Sequence, residues 1–424
     1  MKIKKFTFEN YKAFKFRQEL SIRPITLIIG KNSSGKSVVS RLPLLLANSL
    51  SSSEISPIKL DFDGLKFGEE FRDLIYNRFE HGTVSFGVSF EGEKNSIELE
   101  ITVQAIAGTP FHIISHFLLK SNGGFAFELS WDRDQSSELP ASQVYHIHGN
   151  LEDQAIVEFQ GILPDKILAV KDKREIVLSE LAFLTQEIRQ TMQNIEYIGP
   201  FRDLPKSKYK YSGKKPAHIH DTGQQAYQIL GIDALSTRRI VDFVGSWYAE
   251  NLGGWKLDII PSGEEFKIVL TSPDDPNIKI NLTNVGSGMS QVLPLVVRNF
   301  LEGEAREGLD ILEQPELHLH PAAHGNLAEL FVKTVKREKR SYIIETHSEN
   351  ILLRIRRLIA NGDIDCQDVI IYWVDDEERP GSRLKPIYIN QEGELDNWPK
   401  GVFSEDYEEL IAIREAQRRK KEGL

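Results

Sequence analysis

The chain has 424 residues, 40% of them hydrophobic and 27% charged, with a formal net charge of −10 and a single cysteine, Cys366. That length buries a sizeable core and holds two or three units of ordinary domain size. The lone cysteine excludes an intrachain disulfide, no apolar run approaches the roughly 20 residues of a membrane helix, and the acidic balance argues against a surface coated with nucleic acid. The N-terminus, Met1 to Phe6, lacks an apolar secretory segment, so a cytoplasmic protein without membrane contact is expected.

Lys2 to Phe14 mixes Ile3, Phe6 and Phe8 with charged residues in a partly alternating strand pattern that ends at Glu9-Asn10. Pro24 to Ile29 is a short, β-branched apolar run of the kind that forms a buried strand. It leads into Gly30-Lys31-Asn32-Ser33-Ser34-Gly35-Lys36-Ser37, a G-x-x-x-x-G-K-S phosphate loop, and Val38 to Leu46 is compatible with a helix opening from it. Strand, glycine loop and helix together make an anion site from backbone N–H groups. Nucleotide binding is therefore assigned to Gly30, Asn32, Ser33, Ser34, Gly35, Lys36, Ser37 and Val38. Lys36 would reach the β- and γ-phosphates, and the Ser37 hydroxyl would hold Mg2+.

Phe71 to Phe79 reads as a short helix. From Thr83 to Val103, Phe111 to Phe127 and Tyr145 to Gln160, alternating β-branched and aromatic residues with glycine punctuation predict antiparallel strands. Lys173 to Met192 carries Ile176, Leu178, Leu181, Leu184 and Ile188 at helical spacing. Lys206, Lys208, Lys210, Lys214 and Lys215 then surround Tyr209 and Tyr211 in the most basic loop of the chain. Such a loop is either simply solvated or a contact for a partner or for DNA or RNA, its lysines on phosphates and its tyrosines stacked on bases. Leu235 to Leu252 predicts an amphipathic helix with Ile240, Val241, Val244, Trp247 and Tyr248 on its apolar side.

Gly286, Ser287 and Gly288 lie between a predicted strand, Ile278 to Leu282, and an apolar segment, Val292 to Phe300. A helix N-cap at Ser287 accounts for them locally, and an anion site at the mouth of that helix accounts for them functionally. Leu309 to Glu313 is an apolar strand delivering a carboxylate, followed by Gln314-Pro315-Glu316-Leu317-His318-Leu319-His320-Pro321. Ser341 to Glu345 is another strand, ending in Thr346-His347-Ser348. The chain continues through the apolar run Val369 to Val374, Pro386 to Ile389, the segment Asn397-Trp398-Pro399-Lys400-Gly401-Val402-Phe403, and a helix from Ser404 to Lys421.

In this order the motifs resemble the ATPase heads of the RecF, SMC and OLD (overcoming lysogenisation defect) group, and the acidic stretch is similar to the E-[EQ]-P-E-x-H-L-H-P form of OLD-like bacterial ATPases. The resemblance implies an α/β, ABC-type P-loop NTPase head with a mixed central sheet, an antiparallel β subdomain and a helical subdomain. It divides the chain into an N-terminal ATPase lobe (1–170), a helical and insertion region (171–275), a C-terminal ATPase lobe (276–360) and a C-terminal extension (361–424). ATP becomes the expected nucleotide, with Mg2+ held by Ser37 and Glu313. Gly286, Ser287 and Gly288 become a signature that contacts the γ-phosphate of nucleotide on a second protomer. Catalytic roles fall to Gln314, Glu316 and His347, the last as the switch histidine. Gln314 stands where relatives carry a water-orienting glutamate; an amide orients water but is no base, so slow hydrolysis is expected. His318 and His320 fall in the D-loop region at a dimer seam. Lys12 and Phe14 are either adenine contacts or an ordinary strand end, and Gln104 is the candidate Q-loop residue. The biological role implied is a homodimer or larger assembly that regulates a separate effector, a nuclease, in anti-phage defence, as in Septu, PARIS or retron-linked systems. A RecF-like DNA-repair ATPase and a slowly hydrolysing scaffold are the alternatives.

Overall fold

A computed structural model describes residues 1–422 except 51–55, 63, 81, 94, 107–108, 110, 133–142, 149–153, 215, 217, 302–307, 378–379 and 399–404. The apolar run before the phosphate loop forms the strand Ile25–Gly30, which lies inside a six-stranded sheet. Across that sheet the order is Ile195–Ile198, Gly308–Glu313, Arg340–Glu345, Ile25–Gly30, Val369–Asp375 and Arg383–Ile387. The first five strands pair in parallel and the last is antiparallel, giving the mixed central sheet the motifs call for.

Both faces of the central strands are covered, so 25–29 reads as unbroken apolar sequence rather than as an alternation. Its side chains nevertheless divide between two cores, Ile28 into one and Ile25, Leu27 and Ile29 into the other. The first core joins the central sheet to a nine-stranded antiparallel sheet. That sheet begins with Gln18–Ser21 and Lys2–Glu9, then runs in chain order from Thr83–Glu91 to Leu163–Ala169. The second core is filled by helices that include Arg239–Asn251, Leu293–Phe300, Pro321–Arg337 and Glu349–Ala360. A small sheet built on Lys256–Ser262 and Glu265–Thr271 packs beside these helices.

Several segments differ from the sequence reading. The helix after the phosphate loop, Lys36–Ser40, breaks at Arg41 and resumes as Leu42–Leu50. Pro43 accounts for the break, having no N–H for the Val39 carbonyl and a ring that would collide with it in a continuous helix. Phe71 to Phe79 forms two 3-10 turns, Phe71–Leu74 and Tyr76–Arg78, with Asn77 and Arg78 at positive φ. The helix read from Lys173 begins at Ser179. The boundary at 361 runs through the central sheet, because Val369–Asp375 pairs with the phosphate-loop strand, Trp373 opposite Ile29 and Val374 opposite Gly30. The last helix is Glu405–Glu422; Ser404, its expected cap, and residues 399–403 lie outside the described residues. Among the described residues no helix is long and apolar enough to cross a membrane.

Candidate nucleotide site

The phosphate loop connects the C-terminal end of Ile25–Gly30 to the first turn of Lys36–Ser40. Gly35 needs its missing side chain twice over: its φ is +111°, and a Cβ there would lie 3.1 Å from the Phe14 ring. Lys36 is buried, and its ammonium donates to the carbonyls of Gly30 at 3.0 Å and Lys31 at 2.6 Å, which keeps the charge curled into the loop. Burial lowers its pKa, and the nearby Glu345 carboxylate works in the opposite direction. The Ser34 carbonyl accepts from the Ser382 hydroxyl at 2.8 Å, so residues beyond the strand Val369–Asp375 brace the loop. Ser34 Oγ is buried with no hydrogen-bond partner among the described residues.

Beneath the loop lie the ends of two neighbouring strands, each delivering a glutamate, with Glu313 opposite Glu345. Both of the Glu313 oxygens accept from the Arg41 guanidinium at 2.5 Å. Ser37 Oγ donates to Glu345 at 2.9 Å, and Ser40 Oγ donates to Glu345 at 2.8 Å while lying 3.3 Å from Glu313. Hydroxyl and carboxylate oxygens of this kind are the hard donors that suit Mg2+. Burial raises the Glu345 pKa, and the Glu313 charge raises it further.

The acidic motif turns sharply after Glu313. Gln314 sits at φ +43°, its N–H donating to the Glu345 carbonyl at 2.8 Å. Arg202, buried at the turn after Ile195–Ile198, holds this turn by donating to the carbonyls of Gln314 at 3.1 Å, Glu313 at 3.4 Å and Pro315 at 3.4 Å. It also donates to the Gln291 carbonyl at 3.2 Å, tying the acidic turn to the helix Ser287–Gln291. Burial pushes the Arg202 pKa down to about 10. Glu316 is turned inward, one oxygen accepting the His347 N–H at 2.8 Å and the other buried without a partner among the described residues. It therefore holds the backbone of Thr346-His347-Ser348. The exposed His347 side chain has its pKa lowered by partial burial and then by the charge of Lys36.

The expected signature residues open the helix Ser287–Gln291, whose N-cap is Gly286 with no side-chain cap hydrogen bond. Ser287 is thus the first helical residue and not the N-cap; Gly286 and Ser287 are both exposed. Gly288 faces inward, where a Cβ would meet the His318 carbonyl oxygen at 2.6 Å. His318 is exposed at φ +68°, and the His320 ring accepts from the Ala322 N–H at 3.2 Å as the cap of Pro321–Arg337.

Other sequence candidates are placed elsewhere. Phe14 is fully buried against Phe8 and the Lys12 ammonium donates to the Phe67 carbonyl, so both serve the core beneath the loop rather than an adenine face. Gln104 lies in register with Thr83 and Ile113 within the nine-stranded sheet. Tyr209 stacks between Tyr227 and Phe266, and Tyr211 packs on Phe266, which removes the base-stacking element from the basic loop. Lys208 pairs with Glu265 at 3.3 Å, Lys206, Lys210 and Lys214 are exposed, and Lys215 lies outside the described residues. Sequence reasoning missed Arg41, Arg202 and Glu345. Of these only Glu345 carried a signal, as a carboxylate at the C-terminal end of an apolar strand.

The family model for the AAA ATPase domain matches residues 1–238 and 255–352. The chain belongs to the AAA ATPase domain family. No curated protein matches it. Among solved structures, this AAA ATPase domain is similar to an SMC head domain from Thermotoga maritima, at 12% identity and TM-score 0.43, covering 92% of this chain and 100% of that one. It is also similar to an Smc head bound to the C-winged helix domain of ScpA, at 11% identity and TM-score 0.45, covering 92% and 98%. A third is an Smc head with an extended coiled coil bound to a C-terminal ScpA domain derived from Pyrococcus furiosus, at 9% identity and TM-score 0.43, covering 98% and 99%.

Proposed function

We propose that this ATPase domain hydrolyses ATP as a homodimer in which each phosphate loop is completed by the Gly286–Gly288 segment of a second copy. The observation that carries this reading is the exposure of Gly286 and Ser287 at the start of a helix that does not use the serine as its cap. Lys36 carries its charge from the loop carbonyls to the phosphates, and the loop N–H groups receive the phosphate oxygens. Ser37 would hold Mg2+ beside the phosphates, and the ion would supply neutralisation of the charge developing on them. Gln314, fixed through its own backbone by Glu345 and Arg202, orients water without removing its proton, which makes turnover slow. A neutral His347 both donates and accepts, so from the end of the strand Arg340–Glu345 it would contact the γ-phosphate through either role.

Regulation of a separate effector nuclease in anti-phage defence, in the cytoplasm, is the biological role that the motif resemblance supports; co-purification with the products of neighbouring genes tests it. Direct DNA binding through 206–215 is disfavoured by the inward packing of Tyr209 and Tyr211.

The shared site is tested by mixing two inactive variants, Lys36→Ala and Ser287→Arg. A mixed dimer pairs one intact loop with one intact signature, so mixing should restore activity that neither variant has alone. Mixed dimers that form but stay inactive, while each variant regains activity with wild type, would refute the reading.

A further inference from the structure

Glu345 ends the strand that leads into Thr346-His347-Ser348, opposite Glu313 in the parallel pair. Both carboxylates are 2% exposed, yet they are used differently. Glu313 gives its two oxygens to Arg41 and is neutralised there. Glu345 accepts from Ser37 Oγ at 2.9 Å through one oxygen and from Ser40 Oγ at 2.8 Å through the other. Its hydrogen bonds among the described residues therefore come from hydroxyls and not from a guanidinium or ammonium. A buried carboxylate is costly unless a cation is supplied, and Lys36 acts on Glu345 only through space because its ammonium is held by the loop carbonyls.

The direction of the Ser37 proton is the second part of the argument. A hydroxyl has one proton and two lone pairs, and a phosphate-loop serine holds Mg2+ through a lone pair. Donating the proton to Glu345 leaves both lone pairs free to meet a cation. Glu313 is not placed to receive that proton: its oxygens face Arg41, and the serine it approaches is Ser40, at 3.3 Å.

The geometry points to Glu345 as the acidic group that, with Ser37, holds the divalent cation of the nucleotide, while the Glu313–Arg41 pair positions Ser40 and Glu345 beneath it. This rests on the nucleotide site proposed above. It moves cation holding from the strand Gly308–Glu313 to the neighbouring strand Arg340–Glu345. The carboxylate that answers the metal and the histidine that answers the γ-phosphate then lie two residues apart on one strand end, so one segment reads both features of the nucleotide.

The test uses the full chain with Mn2+ as the probe, its free and bound forms distinguished by electron paramagnetic resonance at saturating ATP. Glu345→Gln should weaken Mn2+ binding by about 10–100-fold while ATP binding in EDTA is unchanged. Glu313→Gln should lose less Mn2+ affinity than Glu345→Gln. Wild-type Mn2+ affinity in Glu345→Gln, or a larger loss in Glu313→Gln, would overturn the assignment. Should Glu345→Gln fail to fold, Glu345→Asp decides: it keeps the charge but shortens the reach, so intermediate Mn2+ affinity is expected and wild-type affinity would overturn the idea. A wild-type chain that binds no ATP in EDTA would instead bring down the nucleotide site itself, and the Glu345 assignment with it.

Discussion

Arg41→Met removes the guanidinium that grips Glu313 through two hydrogen bonds of 2.5 Å and leaves most of the side-chain length in place. Deleting one partner of a buried ion pair costs about 3–5 kcal/mol, because the remaining charge stays buried alone. The Arg41 side chain is 27% exposed, so water reaches part of the pair and the lower end, about 3 kcal/mol, is the expected loss. The variant also leaves Glu313 beside Glu345 without Arg41, and one carboxylate relieves the cost by taking up a proton. Burial, and then the Glu313 charge, already raise the Glu345 pKa. A carboxyl whose folded pKa lies above its unfolded value favours the folded state at low pH and loses that contribution as pH rises through the folded pKa. The deficit of Arg41→Met should therefore be smaller near pH 5 than near pH 8. Urea unfolding of wild type, Arg41→Met, Glu313→Gln and the double variant at both pH values measures this. The double variant should be more stable than the sum of the single losses by about 1–3 kcal/mol. An Arg41→Met chain within about 0.5 kcal/mol of wild type at the higher pH, or a strictly additive double variant, would refute the reasoning.

Two further predictions concern the fold around the site. His112 is buried, accepts the Ile58 N–H at 3.1 Å, stacks on Phe71 at 4.3 Å, and has its pKa pushed down to about 4 by burial. A base with a depressed pKa stabilises above its unfolded pKa of about 6.5 and loses about 3 kcal/mol as pH falls toward 4. His112→Gln keeps an acceptor but does not titrate, so its unfolding free energy should fall less over that range; parallel pH profiles would contradict the assignment. Gly288→Ala should destabilise by about 1–3 kcal/mol, because the new methyl lies 2.6 Å from the His318 carbonyl oxygen, whereas Gly286→Ala, with open space around it, should change stability little. Equal unfolding midpoints for the two variants would show that the signature does not press on the acidic turn.

The parts of the site written in consecutive residues were legible. Strand, loop and helix around Gly30–Ser37 are local, and so are the acidic strand ending at Glu313 and the T-H-S turn. What escaped depends on partners far along the chain. That Glu345 and not Glu313 meets Ser37 is fixed by strand register and by the break at Arg41, neither of which the motif displays. The tyrosines of the basic loop looked available because Tyr227 and Phe266, which cover them, lie well beyond it. Phe14 shared the ambiguity of any aromatic at a strand end until its contact with Phe8 decided it. Arg202 gave no signal, since its work is done on backbone carbonyls that no side-chain pattern announces.

The strand that carries the phosphate loop is flanked by Arg340–Glu345 on one side and Val369–Asp375 on the other. Its neighbours arrive more than 300 residues later in the chain. Closing so long a loop is paid in entropy before any strand hydrogen bond is gained, which makes assembly of this sheet a slow, late event in folding. Nucleotide thus finds its pocket only after the two distant segments have docked, and by binding that state alone it adds its own free energy to the closure. A nucleotide bound there would act as a clasp on the chain's own topology.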